Sequence, residues 1–375
     1  MSVYNTMSFR PTKAVIDLTA IRKNVENLRE HIAIGTEIIA VVKANAYGHG
    51  DLEVSRVALE AGASMLAVAT PEEALHIRAT FKEVPILILG AVPAAFVPYA
   101  AQHNITLTVF SAHWIDEVSR QYQTLEQPVK VHIKVDSGMG RIGVTIEQEL
   151  QELYHAIEKT TLFELDGIFT HFATADEENP EYYEQQKTKF ITMVKSLPAK
   201  PRLVHAANTA AALVKDGVEF DAVRYGISMY GLSPSAYVEK HLPFPLYPAM
   251  QVQTEVVHVK KLHKGQHVGY GATYEVEQEG EWLATLPIGY ADGLVRGLQG
   301  QEVLIRGVRA EIVGRVCMDQ IMVKLPFQVP VGEPVTLIGK QGDDEVTLQE
   351  WADRLQTIVY EMACLLSPRV TRIYL

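Results

Sequence analysis

The chain is poor in cysteine: only Cys317 and Cys364 occur in 375 residues. Two such thiols make neither a disulfide framework nor a zinc-binding spacing, and a reducing, cytoplasmic compartment is the natural reading. An excess of positive charge is missing too. Lys and Arg number 34 against 45 Asp and Glu, a net charge of −11. That disfavours a broad nucleic-acid surface and leaves room only for local basic sites. The apolar stretch 84–98, VPILILGAVPAAFVP, is short and is broken by Pro85, Pro93 and Pro98, so no membrane span is expected. The opening MSVYNTMSFRPTK lacks the apolar core of a signal peptide. There is no H-E-x-x-H, and the 13 histidines are scattered, so no metal centre is expected. No G-x-S-x-G elbow or Walker lysine occurs either.

What is present is an ordinary globular composition, 47% hydrophobic, with length enough for two domains. Eight short apolar runs begin at residues 38, 65, 86, 105, 129, 165, 202 and 222. Amphipathic stretches such as 51-DLEVSRVALEAGA and 147-EQELQELYHAIEKT lie between them. Asp51 and the pair Thr70-Pro71 stand where helices would open. Eight β/α repeats predict an α/β fold with an N-terminal (β/α)8 TIM-like barrel over residues 13–240, rather than an open doubly wound sheet. Residues 1–12 read as an extension, and 14-AVIDL-18 as a strand left over for another sheet. The proline-rich 241-HLPFPLYPAM-250 reads as a linker. Beyond it, alternating runs at 251–262, 282–290, 302–316, 320–325 and 335–339 predict a mostly-β C-terminal domain over 241–375, with one late helix near 347–356. The acidic cluster Asp343-Asp344-Glu345 reads as a solvated loop.

Barrels place their chemistry at the C-terminal ends of their strands. Those ends carry Lys43, then Lys134 and Asp136, His171, Asn208 with Thr209, and Arg224. Polar groups at five of eight equivalent positions point to an active site. Lys43 follows the apolar run 38-IIAVV. It reads either as a lysine snorkelling from a strand tip or as a desolvated amine kept as a nucleophile. A lone His171 reads equally as a hydrogen-bonded structural histidine, and Asn208 as a turn residue. The stretch 138-GMGRIG-143 matches G-x-G-x-x-G, but Val144, Thr145 and Ile146 are poor openers of a helix and no acidic strand end follows at the Rossmann distance. It reads better as a tight loop presenting Arg141 to a carboxylate.

Eight stretches in order then carry a resemblance over essentially the whole chain: 41-VVKANAYGHG-50, 132-HIKVDSGMGRIG-143, 170-THFA-173, 205-HAANTAA-211, 224-RYGISMYG-231, 269-GYGATY-274, 287-PIGYADG-293 and 314-GRVCMDQ-320. The sequence resembles the bacterial alanine racemases, which use pyridoxal 5'-phosphate on a barrel followed by a β domain. The resemblance implies that Lys43 holds the cofactor as a Schiff base and serves one face of the substrate Cα, with Tyr270 serving the other. It implies that His171 assists the tyrosine, and that Arg224 faces the pyridine nitrogen and disfavours its protonation by like charge. Tyr47, Asn208, Thr209, Gly226, Ile227 and Tyr360 match the phosphate side. The family often has Ser where Thr209 stands, and the hydroxyl is kept. Arg141 and the Met318 N–H match the groups that hold the substrate carboxylate; Tyr290, Tyr360 and Asp319 match the entrance. Lys134 matches a lysine carbamylated in some members.

The same resemblance implies a homodimer in which each site is completed by the partner's C-terminal domain, and D-alanine destined for peptidoglycan. An amino-acid decarboxylase of this architecture would want an acid where Arg224 stands. A racemase for serine needs only a small change in the pocket. A cofactor carrier would lack Tyr270, the 317–319 stretch and the β domain altogether.

Overall fold

The structure, a computed structural model, describes residues 9–215, 217 and 220–375; most of the predicted extension 1–12 lies outside them. Contacts group the chain into two compact units. One holds Ala20–Ala46 and Asp51–Pro248; the other holds the described residues up to Thr19 with Tyr47–Gly50 and Ala249–Leu375.

The first unit is a closed barrel of eight parallel strands: Glu37–Val41, Met65–Val68, Ile86–Ile88, Ile105–Val109, Val129–Lys134, Phe163–Phe169, Leu203–His205 and Ala222–Tyr225. The last pairs with the first, Ile39 opposite Arg224. These strands read as continuous apolar runs because both faces are covered: all five residues of Ile105–Val109 are buried, as are all four of Met65–Val68. The intervening helices bury one stripe each. In Glu147–Glu158 the buried set is Leu150, Leu153, Ala156 and Ile157, the three- and four-residue spacing of a helix face. Helix Pro71–Thr80 opens as its sequence predicts. Thr70 accepts the Glu73 N–H, Glu73 reaches back to the Thr70 N–H, and Pro71 occupies the first turn, where no N–H is needed.

The second unit is built on a sheet of ten strands. Here burial alternates, as in Met250–Glu255 and Ile321–Leu325, because one face looks to the core and the other does not. Strand Lys13–Ile16 lies between Met250–Glu255, antiparallel, and Thr371–Tyr374, parallel.

Several details differ from the sequence reading. The run 251–262 is two strands, Met250–Glu255 and His258–Leu262, because its halves pair with different partners, Pro334–Gln341 and Glu281–Leu286. Two late helices form, Leu348–Leu355 and Val359–Leu365. Asp344 and Glu345 belong to a short strand, Asp344–Val346, where Arg309 binds the Asp344 carboxylate and the Glu345 carbonyl while also pairing with Glu350. Cross-strand pairing and a cation turn what reads as a solvated loop into an ordered edge. Among the described residues, no helix is long and apolar enough to cross a membrane.

Candidate active site

At the C-terminal end of strand Glu37–Val41 the chain reverses its hand. Ala44, Asn45, Ala46 and Tyr47 all have φ near +50°. A left-handed conformation costs an L-residue about 1–2 kcal/mol, so a run of four must be held from outside. Inside the barrel unit, the Ala46 N–H donates to the Val42 carbonyl at 2.9 Å. The Ala44 N–H donates to the Glu73 carboxylate at 2.7 Å, and the Asn45 side chain accepts the Asp51 N–H. One residue earlier, the Tyr230 hydroxyl donates to the Val41 carbonyl. Lys43 stands between that anchored strand end and the turn, with its side chain only partly exposed.

Arg224, on the strand paired to that of Lys43, is almost fully buried. Its two Nη groups make five hydrogen bonds: to His205 Nδ1 at 2.8 Å, to the carbonyls of Thr170, Ala206 and His205, and to His171 Nδ1 at 3.4 Å. Its Nε–H takes part in none of them. Burial, then the Arg141 charge, lower its pKa to about 9, so it stays a cation at neutral pH.

Because Arg only donates, His205 must accept at Nδ1 and carry its proton on Nε2. That proton faces His132 Nδ1 at 3.0 Å, and His132 Nε2 in turn faces Asp166 at 3.1 Å. Asp166 also receives Arg202 at 2.7 Å. Burial alone would raise the Asp166 carboxyl; the bonds from His132 and Arg202 outweigh it and hold it below the usual carboxylate range. Gly167 makes the relay fit, since a Cβ there would sit 2.8 Å from three atoms of the His132 ring. Both relay imidazoles are held below the ordinary histidine range, first by burial, and for His205 next by Arg224. The unfolded chain therefore binds more protons below pH about 6.5. The stability these histidines contribute is complete above that value and is lost as pH falls toward their folded pKa values. Urea midpoints measured from pH 7 down to 5 should fall more steeply for the parent chain than for His205→Gln; equal slopes would refute the relay as the cause.

Lys134 is buried beside this group and donates to the Val135 carbonyl at 2.8 Å. Desolvation first, then Arg224 and Arg141 against the opposing Asp136, lower its pKa to about 7. The glycine-rich stretch after it is a loop wound on Asp136, whose carboxylate accepts the N–H groups of Gly138, Gly140 and Arg141. Gly143 closes the loop, its φ of +134° and a virtual Cβ only 2.4 Å from the Asp136 nitrogen leaving no room for a side chain. Arg141 projects from this loop, exposed. His171 lies near four cations. Burial, then Arg224, Lys134, Arg141 and Lys43, hold it well below the usual imidazole range, although part of its surface stays open. Two further strand tips meet where Asn208 caps helix Thr209–Val214 and the Thr209 hydroxyl accepts the Gly226 N–H at 2.9 Å, with a short 3-10 turn opening at Ile227.

The remaining candidates belong to the β unit. Tyr270, 69% exposed, sits in a turn flanked by Gly269 and Gly271, both at positive φ. With Met318 and Asp319 it lines an open cleft of about 690 Å³. Tyr290 is tied to the same loop, its N–H donating to the Cys317 carbonyl while Ala291 donates to that of Met318. Asp319 pairs with Arg369, which also reaches the buried Asp292. Tyr47 and Tyr360 are neighbours, ring centroids 6.1 Å apart, and burial pushes the Tyr47 phenol far up.

Sequence reasoning missed His132, His205, Asp166 and Glu73. For the first three a signal was available: a histidine or aspartate inside an otherwise apolar barrel strand needs a partner.

A family model described as alanine racemase, N-terminal domain, matches residues 16–234, and one for the C-terminal domain of the same family matches 249–374. An alanine racemase of Geobacillus stearothermophilus is 51% identical over 97% of this chain and 94% of its own. The crystal structure of an alanine racemase from Bacillus anthracis with bound L-Ala-P superposes with a TM-score of 0.95 at 45% identity, covering 99% of this chain and 96% of that one. A histidine racemase from Leuconostoc mesenteroides superposes at 0.92 with 33% identity, covering 99% of this chain and all of its own.

Proposed function

The chain belongs to the alanine racemase family, and from this we propose that it interconverts L-alanine and D-alanine with pyridoxal 5'-phosphate as cofactor, supplying D-alanine for peptidoglycan. The observation that carries the reading is Arg224. Every hydrogen bond of its Nη groups is made within the barrel, the Nε–H takes part in none of them, and its strand pairs with Glu37–Val41, which ends two residues before Lys43.

The donor set suits the cofactor. Lys43 offers an amine for the aldehyde, Arg224 a donor for the pyridine nitrogen, and the Thr209–Gly226–Ile227 corner, with Tyr47, Tyr360 and Asn208 in support, offers hydroxyls and N–H groups for a phosphate. Bound there, the cofactor supplies an electron sink that makes the alanine Cα proton acidic. A permanent cation at the pyridine nitrogen keeps that nitrogen unprotonated and the sink mild, which suits returning a proton better than losing carbon dioxide.

The chain's own residues then do the rest. Lys43 exchanges the Cα proton on one face and Tyr270 on the other. His171, its Nδ1 occupied by Arg224, keeps a proton on Nε2 for the tyrosine oxygen. Arg141 and the Met318 N–H hold the substrate carboxylate, while Tyr290 and Asp319 line the entrance. Lys134 is a candidate for carbamylation: with a pKa of about 7 much of it is free amine at neutral pH, and attack on CO2 with loss of a proton would turn it into an anion between Arg224 and Arg141. Intact mass in bicarbonate should then show one added CO2 that Lys134→Met lacks. No added mass would refute the modification.

Division into a barrel ending near residue 240 and a β domain at 241–375, with strand 14–18 given to the β domain's sheet, follows from the same reading, as does a homodimer in which Tyr270 comes from the second copy. Mixing Lys43→Ala with Tyr270→Phe chains in equal amounts, each nearly inactive alone, should then restore up to about a quarter of the parent's activity per chain once subunits have exchanged, since half the dimers are mixed and each of those holds one intact site of two. No recovery after verified exchange would sink the shared site.

The function itself is tested by proton NMR of L-alanine in deuterated water with the cofactor-loaded protein, followed by chiral analysis. Loss of the Cα proton with appearance of D-alanine is expected. Serine and histidine in the same assay set the substrate range, and exchange of either in place of alanine would move the assignment to that amino acid.

A further inference from the structure

We propose that Glu73 is a positioning residue for Lys43, acting through the left-handed turn that follows it; the proposal rests on Lys43 being the cofactor lysine. The strands Glu37–Val41 and Met65–Val68 run parallel with Val41 opposite Ala67, and the Val42 N–H continues the ladder to the Ala67 carbonyl at 2.9 Å. The next rung would join the Ala69 N–H to the Val42 carbonyl. That carbonyl is instead taken by Ala46 as the turn closes on itself. The turn thus leaves two N–H groups, of Ala44 and Ala69, without ladder acceptors. One carboxylate satisfies both. Glu73 Oε1 accepts from Ala44 at 2.7 Å; Oε2 accepts from Ala69 at 2.8 Å and from Thr70 at 3.3 Å.

Glu73 thereby bolts the residue after the lysine to the neighbouring strand end and to helix Pro71–Thr80, whose capping box it completes. The arrangement needs a carboxylate. Both oxygens face donors only, and an amide in the same place would turn its NH2 toward at least one N–H. Hydrogen bonds to a charged acceptor are the stronger kind. This one bears on a segment whose backbone conformation is itself unfavourable, so its loss is felt first in the turn and then at Lys43.

The test compares Glu73→Gln with Thr70→Ala, which removes the other half of the cap and leaves both carboxylate contacts in place. Hydrogen–deuterium exchange is read on the peptide spanning residues 43–50 in the cofactor-free protein. The pH dependence of the absorbance of the lysine-bound cofactor is read in the loaded protein. Both variants should melt lower. E73Q alone should speed exchange of that peptide about tenfold or more and displace the absorbance titration. Wild-type exchange in E73Q, equal acceleration in T70A, or faster exchange with an unmoved titration would each overturn the positioning role. Borohydride trapping separates the two layers: a wild-type chain that traps no cofactor on Lys43 overturns the lysine assignment, whatever the turn does. Should E73Q not fold, E73D, which keeps the charge and loses the reach, carries the same comparison.

Discussion

Lys43→Ala should leave a folded chain that no longer retains cofactor covalently and exchanges the alanine Cα proton slower by a factor on the order of 10⁴. The loss should be large because the proposed role gives one side chain two tasks, holding the cofactor and moving the proton on one face. Stability should change little, by about 1 kcal/mol or less. The lysine is partly exposed, and the strand before it keeps its own anchors, the Val42 ladder bond and the Tyr230 hydroxyl on Val41. Added methylamine, a small external amine, should restore part of the exchange. Thermal melting, borohydride trapping and exchange NMR on one preparation decide it. Near-normal turnover in the variant would remove Lys43 from the chemistry, and a collapsed fold would show its role to be structural.

The second large effect is expected from Arg224→Lys, which keeps the charge and loses the geometry. The guanidinium meets His205 Nδ1 and the carbonyls of Thr170 and Ala206 from two separate nitrogens, with Nε to spare. An ammonium has one nitrogen and cannot reach all of these from a single point. Each buried acceptor left unmet costs about 1–3 kcal/mol, so a loss of about 3 kcal/mol in urea unfolding is expected. Turnover should fall on the order of 100-fold through misplacement of the cofactor ring, with weaker cofactor binding in parallel. If charge alone mattered, the variant would behave like the parent chain in all three measurements.

Much of the fold was legible because barrel strands covered on both faces must be apolar throughout, and a run such as Ile105–Val109 has no other use for five consecutive buried residues. The tips were legible because Lys43, Lys134, His171 and Arg224 interrupt such runs where a barrel opens. The turn after Lys43 was not. Ala-Asn-Ala-Tyr carries no glycine to announce a positive φ, and its hand is decided by Glu73 and the Val42 carbonyl, distant or main-chain groups that no local propensity reports. Glu73 was hidden because it lies on a helix, away from the strand ends where a barrel's site residues are sought. His132 and His205 stood inside stretches read as strand, where their pairing across the barrel depends on Gly167 leaving room for a ring. The split of 251–262 escaped for a similar reason, since partner choice, and no proline or glycine, ends the first strand.

The position of Lys13–Ile16 between Met250–Glu255 and Thr371–Tyr374 carries a consequence for biosynthesis. On a ribosome the barrel's strands are all available once Tyr225 has emerged, and domains fold as units from the N-terminal side. Strand Lys13–Ile16 must wait for both neighbours, and one of them is made more than three hundred residues later. Until then its edges stay unpaired, the exposed state that favours strand exchange and aggregation. The β unit's yield in the cell should thus hinge on how the nascent chain shelters four residues translated long before either of their partners.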